Sequence, residues 1–170
     1  EPICSPSEEL MNGGLLGSEA FCFSRKGLYR LIPNLDAVAR VTGIPTTCRR
    51  GLHARWFMTV YNGAIWFGDA DGIYRTDGGA EVSITDEELY SLFHGETRNG
   101  YLPVDLTVTT ALRLEGHDND LWFLYQDSGG TRRVLLYDLQ HREWRWYSFA
   151  RQLSCAASET DGGLRLLLGG

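Results

Sequence analysis

A short hairpin motif recurs along the chain and constrains its fold more than any other feature. In residues 62–79 (NGAIWFGDADGIYRTDGG) two apolar runs flank a Gly-containing turn, a pattern typical of a β-hairpin. Moved back by 45 positions, the motif falls on FCFSRKGLYR, where Phe21 matches Trp66. Moved forward by 56 positions it places Trp66 on Trp122, whereas Tyr74 matches Tyr137 at a spacing of 63, which predicts a third hairpin longer by 7 residues. The chain is therefore predicted to be built from repeats.

The repeat length selects a fold class. Strands are predicted in the second copy at 55–60, 64–68, 73–76 and 81–84, and in the third copy at 105–114, 121–126, 132–138 and 144–149. Four consecutive antiparallel strands make one propeller blade, and repeats of about 40 to 50 residues are typical of propellers. We therefore predict an all-β, β-propeller-like chain of four-stranded antiparallel blades. About three and a half blades fit this length, whereas closed propellers have typically 4 to 8. The chain is expected to be a fragment of a larger propeller or to be completed by a partner chain.

The predicted organisation follows the repeats. Residues 1–18 form an N-terminal arm or the end of a preceding blade, 19–53 the first blade, 54–104 the second, 105–151 the third, and 152–170 the start of an incomplete fourth, with a strand at 164–168.

Three local features are predicted within these blades. In the first blade, DAVARV (36–41) is the predicted outer strand and TGIPTT after it a loop. In the second, Thr85 and Glu88 have the spacing of a capping box and Gly95 suits a C-cap. A short helix is therefore expected near 86–94.

The motif residues also carry a resemblance to known families. The second copy, with GAIWFG followed by GIYR, resembles the blade motif of β-propellers of the two-component-regulator type. The third copy, in which a strand ending in Tyr-Asp leads to a Trp-rich strand, is similar to the propeller repeats of phage tail-nozzle and head-to-tail proteins. The match covers roughly residues 20–149. It implies a propeller fold and, through the phage proteins, a scaffold role in a virion.

Charge and hydropathy indicate which classes of partner are not expected. There are 22 acidic and 16 basic side chains, and the net charge of −6 disfavours direct binding to nucleic acid. No apolar run approaches the ~20 residues that span a bilayer, so no membrane partner is expected. The 20 glycines fall mostly at predicted turns, where they separate short strands.

Polar motifs do not predict a reaction. The cysteines, at 4, 22, 48 and 155, lack the spacing of a zinc site. Cys22 and Cys155 lie in predicted strands, and pairing of Cys4 with Cys48 is left open. We interpret DADG (69–72) and HDND (117–120) as turns rather than cation loops, with Gly72 at positive φ. The histidines lie in loops, and no nucleophile elbow or phosphate-binding loop is present. No catalytic residue, metal or cofactor is predicted.

The strand REWRWYSF holds the candidate binding residues. Alternation places Trp144 and Trp146 on one face, and Arg145 and Tyr147 on the other. The tryptophans either pack between adjacent blades or form an exposed aromatic surface for a protein partner or a sugar. Trp144, Trp146 and Tyr147 are therefore the candidate binding residues.

Two function classes remain after these exclusions. The first is a non-enzymatic structural or interaction module of a virion, in a phage tail or head-to-tail assembly. Its partners would be other protein subunits, including the rest of its own propeller. The alternative is a ligand-sensing or carbohydrate-binding propeller domain.

Overall fold

The chain is all-β in the part that the structure describes. This structure is a computed structural model, and it describes residues 8–34, 41–86, 88–149, 151–159 and 165–169. Helical turns occur in this part only at Tyr90–Phe93 (α1) and Thr109–Ala111 (3₁₀). Two compact units are present, residues 1–69 with 73–84 and residues 70–72 with 85–170. The all-β prediction is confirmed.

The first unit contains two four-stranded antiparallel sheets, each with its strands in chain order. Their strands are β1 Leu10–Leu16, β2 Glu19–Ser24, β3 Leu28–Pro33 and β4 Val41–Pro45, then β5 Met58–Tyr61, β6 Ala64–Gly68, β7 Ile73–Thr76 and β8 Val82–Ser83. Phe21 pairs with Arg30 in one sheet, and Trp66 pairs with Arg75 in the other. The two hairpins therefore share one register at a shift of 45, as the motif predicts.

The core of the first unit lies between its two sheets. The rings of Phe23 and Phe67 have centroids 4.6 Å apart, and the ring of Tyr74, the cross-strand partner of Phe67, lies 5.7 Å from that of Phe67. Strand β1 also contacts β5. Both phenylalanines are almost fully buried, and burial of such a side chain stabilises the fold by about 1.5 to 3 kcal/mol.

The second unit contains a four-stranded meander and a two-stranded sheet. Their strands are β9 Arg113–His117, β10 Asp120–Gln126, β11 Arg132–Asp138 and β12 Glu143–Tyr147, then β13 Cys155–Glu159 and β14 Arg165–Gly169. On one face of the larger sheet, Phe123 stacks between Phe93 and Tyr125. On the other face Leu153 and Ala156 pack against a buried aliphatic cluster, and β13 contacts β9.

Two of the tight turns have the backbone that two-residue hairpins require. Asn62 and Gly63 have φ of 48° and 70°, and Asp118 and Asn119 have φ of 48° and 63°. Two successive positive φ values match the right-handed twist of the flanking strands. The prediction that HDND forms a hairpin turn is confirmed. The positive φ predicted for Gly72 is wrong, because that glycine is not among the residues with positive φ.

The first sheet differs from the sequence prediction at both edges. Residues 10–16, assigned to an arm or a preceding blade, form β1, which pairs with β2 from Leu16 opposite Glu19 to Leu10 opposite Ser24. Residues 41–45, assigned mostly to a loop, form β4 beside β3. Pairing supplies partners for backbone groups that local sequence does not reveal. The rest of the predicted outer strand, 36–40, lies outside the described residues.

The strand predicted at 105–114 is interrupted. The Asp105 carboxylate accepts hydrogen bonds from the backbone N–H and the hydroxyl of Thr107, which turns the chain, and a 3₁₀ turn follows at Thr109–Ala111. Strand β9 therefore begins only at Arg113.

The predicted length of the third hairpin is also corrected. Trp122 pairs with Leu136, 14 positions later, whereas Trp66 pairs with Arg75, 9 positions later. The hairpin is thus longer by 5 residues, not 7, and Tyr137 is not the equivalent of Tyr74.

The predicted helix is a single turn, α1. It begins at Tyr90 rather than near 86, and its N-cap residue is Leu89, which makes no side-chain cap hydrogen bond, so Thr85 is not the N-cap of this helix. Gly95 follows its C-cap with φ of 81°, as predicted. The strand predicted at 164–168 is present from Arg165 as β14, and it pairs with β13, which precedes it in the chain. No helix in the described ranges is long and apolar enough to cross a membrane.

Candidate interaction surfaces

Strand β12 places its aromatic side chains on two faces of the β9–β12 sheet, as the alternation predicts. Trp144 is buried, Trp146 is half-buried and Tyr147 is 48% exposed. Trp144 pairs with Tyr137 and Trp146 with Leu135 on what we call the Trp144 face. The opposite face, called the Tyr147 face, carries Tyr147 beside Val134. The three predicted binding residues therefore do not form one site.

Trp144 belongs to the core. Its ring packs on Tyr137 with centroids 5.0 Å apart, and its backbone N–H donates to the Glu88 carboxylate at 3.1 Å. Burial makes this side chain inaccessible to a ligand.

Trp146 is held in a stack on the Trp144 face. Tyr101 lies on it with centroids 4.1 Å apart, and the Arg133 guanidinium lies 5.3 Å from the centre of the Tyr101 ring. Arg133 is fixed in turn by Asp127, a fully buried carboxylate that it contacts at 2.8 Å. Asp127 also accepts from the backbone N–H of Thr131. The group braces the hairpin that joins β10 and β11.

The Tyr147 face carries an aromatic cluster that the sequence analysis missed in part. The rings of Trp122, Tyr147 and Phe149 form a triangle with centroid distances of 6.0 to 6.4 Å. Phe149 is 38% exposed, so the cluster combines packing with an accessible surface. The indole N–H of Trp122 is buried without an acceptor in the described part of the chain. We call these three residues the aromatic triad.

A cleft of about 90 Å³ borders the aromatic triad. Arginine side chains from β11 and from the segment after β12 contribute to its lining, together with Tyr147 and Phe149. The lining residues are Thr131, Arg132, Arg133, Val134, Tyr147, Ser148, Phe149, Arg151, Gln152 and Leu153. None of these is acidic, although the chain carries a net charge of −6. We call this feature the arginine cleft.

A cluster of Asp138, His141 and Glu143 has ligand atoms within 4.8 Å of one another, but its contacts are those of a turn. Asp138 accepts from the backbone N–H groups of Gln140 and His141 and from the His141 ring, and it also contacts Arg145. The hydrogen bonds from His141 are the main cause that lowers the pKa of Asp138 to about 2. A guanidinium against the carboxylate opposes a bound cation.

The first unit presents a different surface, on the β1–β4 sheet. One face holds the buried Phe21, Phe23 and Leu28. On the opposite face two cross-strand rows are at least partly exposed and apolar, except for the Tyr29 hydroxyl, which donates to the Glu8 carboxylate at 3.2 Å. They are Leu15, Ala20, Leu31 and Gly43, and Cys22, Tyr29 and Pro45. Leu15 is 66% exposed. We call this surface the open face.

The cysteines are single thiols where the structure describes them. Cys22, Cys48 and Cys155 form no disulfide within the described residues. Cys48 is buried, and this burial is the main cause that raises the pKa of its thiol to about 11. The pairing of Cys4 with Cys48 that the sequence left open involves Cys4, which lies outside the described residues.

Comparison with known proteins does not assign the chain to a family. No protein-family model matches it, and no curated protein is significantly similar to it.

Proposed function

We propose that the chain is a non-enzymatic structural and interaction module whose sheets are blades of a β-propeller. Two features support this proposal. Three sheets are four-stranded meanders of the blade type, and within each unit the first strands of successive sheets are in contact, β1 with β5 and β9 with β13. Adjacent blades of a propeller make the same contact.

The open face is the observation that carries the interaction role. A sheet that faces water on one side normally alternates apolar and polar residues, with the polar ones outside. Here the row from Leu15 to Gly43 is apolar, and the row from Cys22 to Pro45 carries one polar group, the Tyr29 hydroxyl, which donates to the Glu8 carboxylate at 3.2 Å. Contiguous apolar surface of this kind marks an interaction site. The occupant we propose is a further propeller-type sheet, supplied by a protein subunit of the same assembly.

The virion setting of this assembly is proposed on the resemblance of the third repeat to phage tail-nozzle and head-to-tail propellers. A virion component is present in a particle at fixed copy number. Electron microscopy of the source material, combined with the intact mass of the polypeptide, tests that setting. A free monomer in the source material would contradict it.

Charge substitutions test the open face itself. The double variant Leu15→Glu with Leu31→Glu places two carboxylates on that face and should abolish the incorporation of the chain into its assembly. Val82→Glu is the control for an added surface carboxylate, since Val82 is 60% exposed on β8, in the other sheet of the first unit. Incorporation is measured by native mass spectrometry of reconstituted particles. Equal incorporation of both variants would refute the proposal.

The aromatic triad favours one alternative, a carbohydrate-binding or ligand-sensing domain. Exposed Tyr147 and Phe149 beside arginines and Gln152 offer both a stacking surface and hydrogen-bond donors. A glycan array distinguishes a sugar-binding domain from a structural module. If the chain binds sugars, it should bind glycans on the array, and the Tyr147→Ala variant should lose that binding.

A further inference from the structure

We propose that the arginine cleft and the aromatic triad together bind an acidic segment of a protein partner. In this arrangement the carboxylates of the segment pair with Arg132 and Arg151, and an apolar side chain of the segment packs on Tyr147 and Phe149. The inference deepens the proposed interaction role, but it concerns a surface of the second unit and is independent of the open face.

The unpaired arginines of the cleft favour an acidic partner. Of the three arginines that line the cleft, Arg133 is neutralised by the buried Asp127 carboxylate at 2.8 Å. Arg132 and Arg151 form no ion pair with any residue in the described ranges. Two positive charges therefore line one cleft without an ion pair in the described ranges, on a chain whose net charge is −6. Like charges held together attract a partner of opposite charge.

The aromatic residues supply the binding energy that the two arginines alone do not provide. An exposed arginine–carboxylate pair contributes only about 0.2 to 1 kcal/mol, so two such pairs do not make a stable complex. Aromatic side chains together with arginine are the residue types that dominate binding energy at interfaces. Tyr147 is 48% and Phe149 38% exposed, and both also line the cleft. An apolar side chain next to the acidic ones would therefore serve as the anchor.

Size and charge together favour a peptide segment over other anions. A cleft of about 90 Å³ is well below the ~300 to 1,000 Å³ of sites that enclose a small molecule, and it fits single side chains. A nucleic-acid strand gains affinity from many cations along its backbone. Here only two arginines of the cleft are without an ion pair in the described ranges, and the net charge of the chain is negative, which does not suit a nucleic-acid strand. A protein segment with a few carboxylates matches that number.

The probe is a short fluorescent peptide rich in Glu with one Phe, titrated with the full chain and followed by anisotropy. The same peptide with Lys in place of every Glu, and a short single-stranded DNA, are the comparison probes. We expect binding of the Glu peptide that weakens as salt rises, and no binding of the Lys peptide. Absence of Glu-peptide binding, or DNA binding as tight as peptide binding, would overturn the proposal.

Variants locate the site. Arg132→Glu with Arg151→Glu should weaken binding of the Glu peptide by more than about tenfold, because each lost pair accounts for up to about fivefold and reversal adds repulsion. Lys26→Glu with Arg55→Glu makes the same charge change at two exposed residues of the first unit and should leave binding unchanged. Phe149→Ala should weaken binding by about tenfold without altering its salt dependence.

Circular dichroism and thermal unfolding check that each variant is folded. If the arginine variant and its control lose affinity equally, the effect is one of net charge and the cleft is not the site. Particle incorporation tests the open face, and peptide binding tests the arginine cleft. Either expected result can therefore fail without the other.

Discussion

The β1–β4 and β5–β8 sheets have the same hairpin register but differ in how their faces are covered. Every residue of β6, from Ala64 to Gly68, is buried, so both faces of that strand are covered. In β2 burial is confined to Phe21, Phe23 and Ser24, and the alternate residues Ala20 and Cys22 are partly exposed. The motif therefore specifies the hairpin, whereas the neighbours of each sheet decide which faces are buried.

Trp66→Ala is expected to have the largest effect on stability. The side chain is 5% exposed, and its indole N–H donates to the Tyr61 carbonyl at 2.9 Å. Truncation leaves a cavity and should lower the free energy of unfolding by about 3 to 5 kcal/mol, measured by urea denaturation. Phe21→Ala, at the matching position, should fall in the same range. A near-neutral Trp66→Ala would show that the two hairpins are not equivalent.

Gly68→Ala tests how the loop before β5 closes over β6. A Cβ at this position would lie 2.1 Å from the Phe57 ring, which has no room to move because Phe57 is fully buried. Overpacking of this kind costs about 1 to 3 kcal/mol. The cost should fall when Phe57 is also truncated, in a double-mutant cycle.

Gly27→Ala, in the turn between β2 and β3, is the control for replacing a glycine that has free space around it. A Cβ there would meet only the Cys48 carbonyl, at 3.9 Å, and should be tolerated. Equal costs for the two glycines would show that the cost at Gly68 does not come from its contact with Phe57.

Leu15→Ala should change stability by less than about 0.5 kcal/mol in the isolated chain. Its side chain is 66% exposed on the open face, so truncation removes little buried apolar surface. Urea denaturation of the chain alone gives this value. A loss above about 1.5 kcal/mol would mean that the open face is already covered and that no partner is needed there.

The hairpins could be predicted because their information is local. Asn62 with Gly63, and Asp118 with Asn119, set the turn, and alternating apolar residues set the strands on either side. Strand β4 could not be found in this way, because a Gly and a Pro in VTGIP are typical of loops. Only its position beside β3 makes it a strand.

The candidate surface was only partly predictable for a similar reason. Tyr147 was identified from the alternation of β12, but its neighbour Trp122 is 25 positions earlier and reaches it across β11. The aromatic triad depends on the register of three strands. The predicted hairpin length was out by two residues, an error that leaves the face of each side chain unchanged but shifts every neighbour along the strand.

Thiol labelling is expected to distinguish the partly exposed Cys22 on the open face from the buried Cys48 without affecting stability. Cys22 lies on the open face and is partly exposed, whereas Cys48 is buried with a pKa raised to about 11. Only the thiolate reacts, so Cys48 needs both opening of the fold and loss of its proton. In a Cys4→Ser, Cys155→Ser background at pH 7.5, about one thiol should therefore react with an alkylating reagent before unfolding.

The pH dependence of the slow reaction of Cys48 tests the direction of its pKa shift. Because the pKa of Cys48 is raised in the folded state, its reaction rate in folded protein should keep rising with pH up to about 11. Cys48→Ser should remove the slow phase, and Cys22→Ser the fast one, as resolved by intact mass over time. If Cys22 reacts as slowly as Cys48, the open face is covered in solution, and the contrast between the two sheets is lost.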